Sequence, residues 1–203
     1  MERPEPIELR TLTSTTLLEG LRDPNDRTRW NQFVDRYRPT IVAFARGRGL
    51  TEDEAEDLAQ TALLDFARAY GEGRYRSDKG ALRGWLFGFV RIELASHWRA
   101  RGRAGNDAES LDTRHAEALG SDDELEARWD EQWRRAVLAT ALEEVRATVE
   151  PRTFRAFERF GLEERPSAEV AAELGMTENA VYGAKRRVLE RLKEILPLIE
   201  ETW

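Results

Sequence analysis

Apolar side chains along this chain recur mainly three and four positions apart, which is the spacing of a helix that buries one face. No segment shows the sustained alternation of apolar and polar residues that marks a β-strand. In the first half, the pattern predicts a helix from Ser14, a second through residues 30–45, a third after a Thr51–Glu54 capping box, and a fourth over about 81–99. The predicted fold class is all-α.

The helical pattern is interrupted over residues 100–124, which are rich in glycine, small residues and acids. It resumes at Trp129, and Pro151 is placed to begin a further helix. We therefore predict two small helical domains, at 13–103 and 133–203. A flexible acidic linker at 104–132 joins them, and a disordered segment at 1–12 precedes them.

The stretch from Ser167 to Leu192 has the pattern of a helix, a tight turn and a second helix. Ser167 is expected to cap the first helix, Gly175 to end it in the left-handed conformation, and Thr177 to cap the second. The apolar positions predicted to be buried in the two helices are Val170, Ala171, Leu174, Val181, Ala184, Val188 and Leu192. This spacing predicts a helix-turn-helix, which places its second helix in the major groove of DNA.

The outward face of the second helix supplies the candidate DNA contacts, which are Asn179, Tyr182, Gly183, Lys185, Arg186 and Arg187. The alternative interpretation is a two-helix corner of an ordinary bundle, with these bases on a solvated face. Residues 167–196 carry five basic and five acidic side chains, so charge alone does not decide between the two. The turn chemistry favours DNA binding.

Charge is distributed in blocks along a chain whose formal net charge is −7. Residues 66–103 hold nine bases and three acids, whereas residues 101–131 hold four bases and ten acids. Such an arrangement predicts one surface for a polyanion and another that repels or imitates it.

The 203-residue sequence contains no cysteine, which excludes disulfides, thiolate metal sites and a cysteine nucleophile. Only two histidines are present, and no phosphate-binding glycine loop or paired-ligand spacing occurs, so we expect neither an enzyme nor a cofactor or metal site. No apolar run is long enough for a membrane span, and no signal peptide is visible. We expect a cytoplasmic protein without membrane insertion.

Two segments of the first half carry further candidate chemistry. Residues 51–65 hold six acids and no base, and Asp57, Gln60 and Leu64 form a ridge opposite the apolar stripe. That ridge is interpreted equally well as a protein contact or as a solvated face. Residues 75–99 combine bases with aromatic rings, which suits unstacked single-stranded bases, although some of these rings are expected in the core.

Three motifs in order resemble a known family: DLAQTALLDFARAY at 57–70, GALRGWL at 80–86 with its basic helix, and the terminal helix-turn-helix. Together they resemble a bacterial RNA polymerase sigma factor of the sigma-70 family. The two regions joined by a short linker are similar to the extracytoplasmic-function (ECF) group. The resemblance implies a region 2-like bundle at 13–103 and a region 4-like domain at 133–203.

The resemblance implies that the helix over 51–66 binds the clamp coiled coil of the largest polymerase subunit through Asp57, Gln60 and Leu64. It also implies that the segment 75–99 captures a flipped base of the promoter −10 element and helps to melt DNA. The −10 candidates are Tyr75, Arg76, Ser77, Asp78, Lys79, Arg83, Trp85 and Arg91. Many family members have asparagine seven residues after the tryptophan, where this chain has Ile92.

The same resemblance implies that the helix-turn-helix reads the −35 element and that the acidic linker imitates nucleic acid near the RNA exit path. Implied partners are core RNA polymerase, through its clamp coiled coil and flap region, promoter DNA and an anti-sigma factor. The alternative function is a free-standing helix-turn-helix regulator that binds duplex DNA without polymerase. The acidic ridge and aromatic basic segment distinguish the two, because a simple repressor needs neither.

Overall fold

The computed structural model describes residues 14–23, 26–75, 82–104 and 121–203. Within these residues the chain is helical, without strands, as predicted. The α-helices are α1 (Ser14–Gly20), α2 (Arg27–Arg46), α3 (Glu52–Gly71), α4 (Leu82–Ala104), α5 (Asp122–Thr148), α6 (Pro151–Phe157), α7 (Ser167–Leu174) and α8 (Glu178–Thr202). They form two compact units, Ser14–Ala136 and Val137–Trp203. The predicted disordered segment 1–12 lies outside the described residues.

The first unit is a bundle in which α1 packs on α2, α2 on α3 and α3 on α4. The capping box that begins α3 is present: the Glu54 amide donates to the Thr51 hydroxyl, and the Thr51 amide donates to the Glu54 carboxylate at 2.8 Å. This hydrogen bond from the backbone lowers the pKa of Glu54. α2 continues through Pro39, and α3 buries the predicted stripe from Ala55 to Phe66.

α5 differs from the predicted linker over 104–132, because residues 122–132 are helical and pack on the first unit. Ser121 and Glu124 form a second capping box, with Glu124 Oε2 accepting from the Ser121 amide at 3.1 Å. Trp129 is only 1% exposed, and its ring stacks on Phe87 with centroids 5.7 Å apart. Residues 105–120 of the predicted linker lie outside the described part of the chain.

Trp133 also belongs to the first unit, although the sequence assigned it to the second domain. Its ring stacks on Tyr37 with centroids 5.6 Å apart. The boundary between the two units thus falls within α5, and the second unit begins at Val137. The helical spacing of the tryptophans was visible in the sequence, but the spacing does not tell which core buries them.

The second unit contains α6, a π-helical turn at Glu158–Leu162, α7 and α8. Pro151 is the first residue of α6, as predicted, and the Glu150 carboxylate caps this helix by accepting from the amides of Arg152 and Thr153. The core between α6, α7 and α8 is a cluster of small and branched side chains: Ala156, Val170, Ala171, Val181 and Ala184. No helix in the described parts of the chain is long and apolar enough to cross a membrane.

Replacing Trp129 with alanine is predicted to destabilise the protein by about 3–5 kcal/mol, because the change removes a buried ring between two aromatic neighbours. Urea unfolding followed by far-ultraviolet circular dichroism measures this loss. The control is Glu126→Ala, at an exposed position one turn earlier, which should change stability by less than about 0.5 kcal/mol. Equal stability of the two variants would contradict the burial of α5.

Candidate nucleic-acid interface

α7 and α8 are joined by a short turn at residues 175–177, in the segment where the sequence predicted a helix-turn-helix. Gly175 is left-handed (φ 60°, ψ 41°) and ends α7, and the Thr177 hydroxyl accepts from the Ala180 amide and caps α8, as the sequence predicted. The Arg152 guanidinium donates to the carbonyl oxygens of Leu174 and Gly175, which satisfies the end of α7. The turn is thereby fixed from both sides.

Ser167 does not cap α7, contrary to the sequence prediction. Pro166 occupies the cap position, and Ser167 is the first helical residue. Its hydroxyl instead donates to Glu178 Oε2 at 2.6 Å and lies 3.2 Å from the Tyr182 hydroxyl. Because the serine proton is used on Glu178, the Tyr182 hydroxyl donates to the serine oxygen, and this chain of hydrogen bonds connects the two helices.

The predicted DNA-contact residues lie together on one side of α8. Asn179, Arg186 and Arg187 are exposed, and Gly183 is half-buried beside Arg187. Tyr182 is 52% exposed, and its ring meets Phe160 edge to face at 5.1 Å. Lys185 is half-buried, with its ammonium 5.0 Å from the Phe160 ring centroid, so it contacts the same ring as Tyr182.

A partly exposed aromatic cluster lies in the first unit, where α3 and α4 meet. The Tyr75 ring lies 5.8 Å from Tyr70 and 5.0 Å from Trp85, and Trp85 meets Phe66 edge to face at 5.0 Å. Burial raises the pKa of Tyr75 above its ordinary value. Tyr75 and Trp85 therefore present rings whose inner sides are supported by the core, which is the form of a base-stacking platform.

Two of the predicted −10 arginines form ion pairs with α5. Arg83 pairs with Asp130 at 3.1 Å, and Arg91 pairs with Asp122 at 2.9 Å. The other predicted −10 residues, Arg76, Ser77, Asp78 and Lys79, lie outside the described residues. Ile92 is 58% exposed on α4, so its apolar side chain faces solvent where the family often has asparagine.

The predicted polymerase-binding ridge lies on the solvent face of α3. Asp57 and Gln60 are exposed, and Leu64 is 45% exposed, which is high for a leucine. Gln60 and Leu64 border a groove of about 370 Å³ between α2 and α3. Its other lining residues are Trp30, Val34, Arg38, Glu56 and Leu63.

Residues 33–104 match the family model of sigma-70 region 2. This part of the chain is a sigma-70 region 2 domain. The match covers α2 from residue 33 onward and all of α3 and α4, and hence both the exposed ridge and Trp85. It supports a sigma-70 family member with a role in polymerase binding and promoter recognition, and it leaves the second unit outside. A search of curated proteins found no match.

Three sets of contacts in the two units were not predicted from the sequence. The Ser121–Glu124 box was detectable as an S-x-x-E spacing before an apolar stripe. The Arg38–Glu56 pair beside the groove, at 2.6 Å, and the hydrogen bonds between Ser167, Glu178 and Tyr182 had no local signal, because tertiary packing brings those residues together.

Gly175→Ala is predicted to lower the local stability of the second unit by about 1–2 kcal/mol, because an alanine is strained at φ 60° and its Cβ would lie 3.3 Å from Arg152 Nη2. Hydrogen–deuterium exchange of peptides from α7 and α8 in the full chain measures this. The control is Gly183→Ala inside α8, where the added methyl has ordinary contacts and should slow exchange. Faster exchange in the control than in Gly175→Ala would refute the left-handed turn.

Proposed function

We propose that this protein is a sigma factor of the ECF group, which binds core RNA polymerase and directs it to promoters through two DNA elements. The observation that carries the proposal is the region 2 match over α2, α3 and α4, on helices that expose both a partner ridge and an aromatic platform. Melting and polymerase contact are both required of a sigma factor. A duplex-binding regulator requires neither.

The ridge of Asp57, Gln60 and Leu64 is proposed to bind the clamp coiled coil of the largest polymerase subunit. A half-exposed leucine between polar side chains suits a helical partner, because it supplies apolar contact with a polar rim. The groove beside Gln60 and Leu64 gives that partner a concave surface. The charge of Asp57 is expected to set the orientation of the complex.

The cluster of Tyr75 and Trp85 is proposed to hold an unstacked base of the −10 element. Stacking on a supported aromatic face contributes roughly 1–3 kcal/mol per base and compensates part of the cost of unpairing. Arg76, Ser77, Asp78 and Lys79 are the proposed contacts of the adjoining strand, and Arg83 and Arg91 hold its phosphates. Trp85 is thus the proposed centre of promoter melting.

The helix-turn-helix is proposed to act as region 4 and to read the −35 element from α8. Tyr182 and Asn179 suit base edges, and Arg186 and Arg187 suit guanine or phosphate. The flap region of polymerase and an anti-sigma factor are the further proposed partners. The protein is proposed to work in the cytoplasm without catalysing a reaction, because its role is recognition.

Reconstitution with core RNA polymerase tests the proposal. Purified protein should bind duplex DNA poorly by itself, yet confer transcription from specific promoters on the core enzyme. Mapping the transcripts then identifies those promoters. If the protein instead binds specific duplex DNA tightly without polymerase, and forms no complex with it, the regulator function replaces the one proposed here.

Asp57→Lys is predicted to weaken core polymerase binding by about tenfold or more, because it reverses a charge at the edge of the proposed contact. Competition against the wild-type protein for core enzyme measures the effect. Asp53→Lys makes the same charge change in the first turn of the same helix and should leave affinity within about twofold. Equal competition by the two variants would remove Asp57 from the interface.

A further inference from the structure

The basic face of α4 and the acidic face of α5 are in register within the first unit. Arg83 and Arg91 are eight residues apart on α4, and their partners Asp130 and Asp122 are eight residues apart on α5, in the opposite order. In each helix this separation corresponds to about 12 Å. The two ion pairs therefore form at the same time along antiparallel helices.

The backbone of α5 is fixed more firmly than these ion pairs. Trp129 is buried between Phe87 and Phe44, with ring centroids 5.7 and 5.4 Å away, and its indole nitrogen donates to the Arg83 carbonyl oxygen at 3.2 Å. By contrast, the side chains of Arg83 and Arg91 are 38% and 48% exposed. A ligand can reach the arginines without displacing the helix.

We propose that the carboxylates of Asp122 and Asp130 are internal substitutes for nucleic-acid phosphates, which occupy Arg83 and Arg91 and weaken DNA binding by the protein until a strand replaces them. The inference rests on the proposed function, in which these arginines hold the melted strand. In this exchange, each arginine releases its aspartate and binds a phosphate, while α5 keeps its position.

Energetics permit such an exchange. An exposed ion pair contributes about 1 kcal/mol or less, so each arginine is held weakly by its aspartate. A backbone phosphate offers a guanidinium the same paired oxygen geometry and the same single negative charge, and a strand presents several such groups in a row. The surrounding acids of α5, among them Asp123, Glu124 and Glu126, add a negative field that disfavours loosely bound polyanions.

The test is the affinity of the full-length protein for a fluorescein-labelled single-stranded DNA of mixed sequence, about 20 nucleotides long, measured by fluorescence anisotropy at low salt. The variant Asp122→Asn/Asp130→Asn should bind roughly three- to tenfold more tightly than wild type, since both arginines lose a competing charge. Raising the salt concentration should reduce the difference.

The matched control is Asp123→Asn/Glu126→Gln, which removes two negative charges from the same helix, one next to Asp122 and one a turn before Asp130, without touching either ion pair. It should gain less than about twofold in affinity. Equal gains in the two double variants would overturn the proposal, because they would show a general field effect alone. Adding Arg83→Gln/Arg91→Gln to the first variant should abolish its gain, and persistence of the gain would also overturn the proposal.

Because Asp130 is only partly exposed, Asp122→Asn alone provides a second variant at a side chain that is 80% exposed. It should bind about two- to threefold more tightly than wild type, and no gain in a protein with wild-type circular dichroism would overturn the proposal. Promoter-specific transcription by the wild-type protein with core polymerase is scored separately. Its absence would refute the proposed function, whereas unchanged DNA affinity of the variants would refute only this inference.

Discussion

The burial of Trp129 is the interaction on which the arrangement of the first unit depends. The Trp129 ring, held between Phe44 and Phe87, anchors the beginning of the acidic helix α5 on the bundle. Apart from that ring, Leu125 is the one large apolar side chain that residues 122–132 bury. Because the ring is buried, carboxylates are brought within ion-pair distance of the arginines of α4.

α4 must serve two opposite requirements. Leu86, Val90 and Leu94 are fully buried against the bundle, whereas Arg91 and Ile92 are exposed on the other side. Trp85 lies between these faces, with part of its ring in contact with Phe66 and Phe89 and part accessible. Because its neighbours already hold this ring in place, little additional side-chain entropy is lost when a base stacks on it.

The sequence predicted the helices well where local chemistry controls them. The Thr51–Glu54 box, Pro151 and the Gly175–Thr177 turn each satisfy backbone groups within a few residues, so their spacing alone identifies the helix ends. The core stripe of α3 followed from its period. Ser167 was assigned the wrong partner, because its hydroxyl bonds to α8, eleven residues later, and Pro166 takes the cap position.

The candidate sites were predicted less completely, for a related reason. The exposure of Asp57, Gln60 and Leu64 follows from helix periodicity, and their position on one face was predictable. The pairing of Arg83 with Asp130 joins residues 47 positions apart, and nothing in composition distinguishes a paired arginine from a solvated one. The acidic segment was therefore interpreted as a linker, although Trp129 was visible as part of the helical pattern.

In the proposed function, Trp85 opens promoter DNA while α7 and α8 of the second unit locate the promoter. Permanganate reactivity of thymines, on a promoter mapped with the reconstituted holoenzyme, tests this most directly. With Trp85→Ala, holoenzyme should still occupy the −35 element in a footprint while the −10 thymines lose reactivity, and Trp85→Phe should restore part of it. Full thymine reactivity with Trp85→Ala would contradict the claim, as would loss of −35 occupancy in step with reactivity.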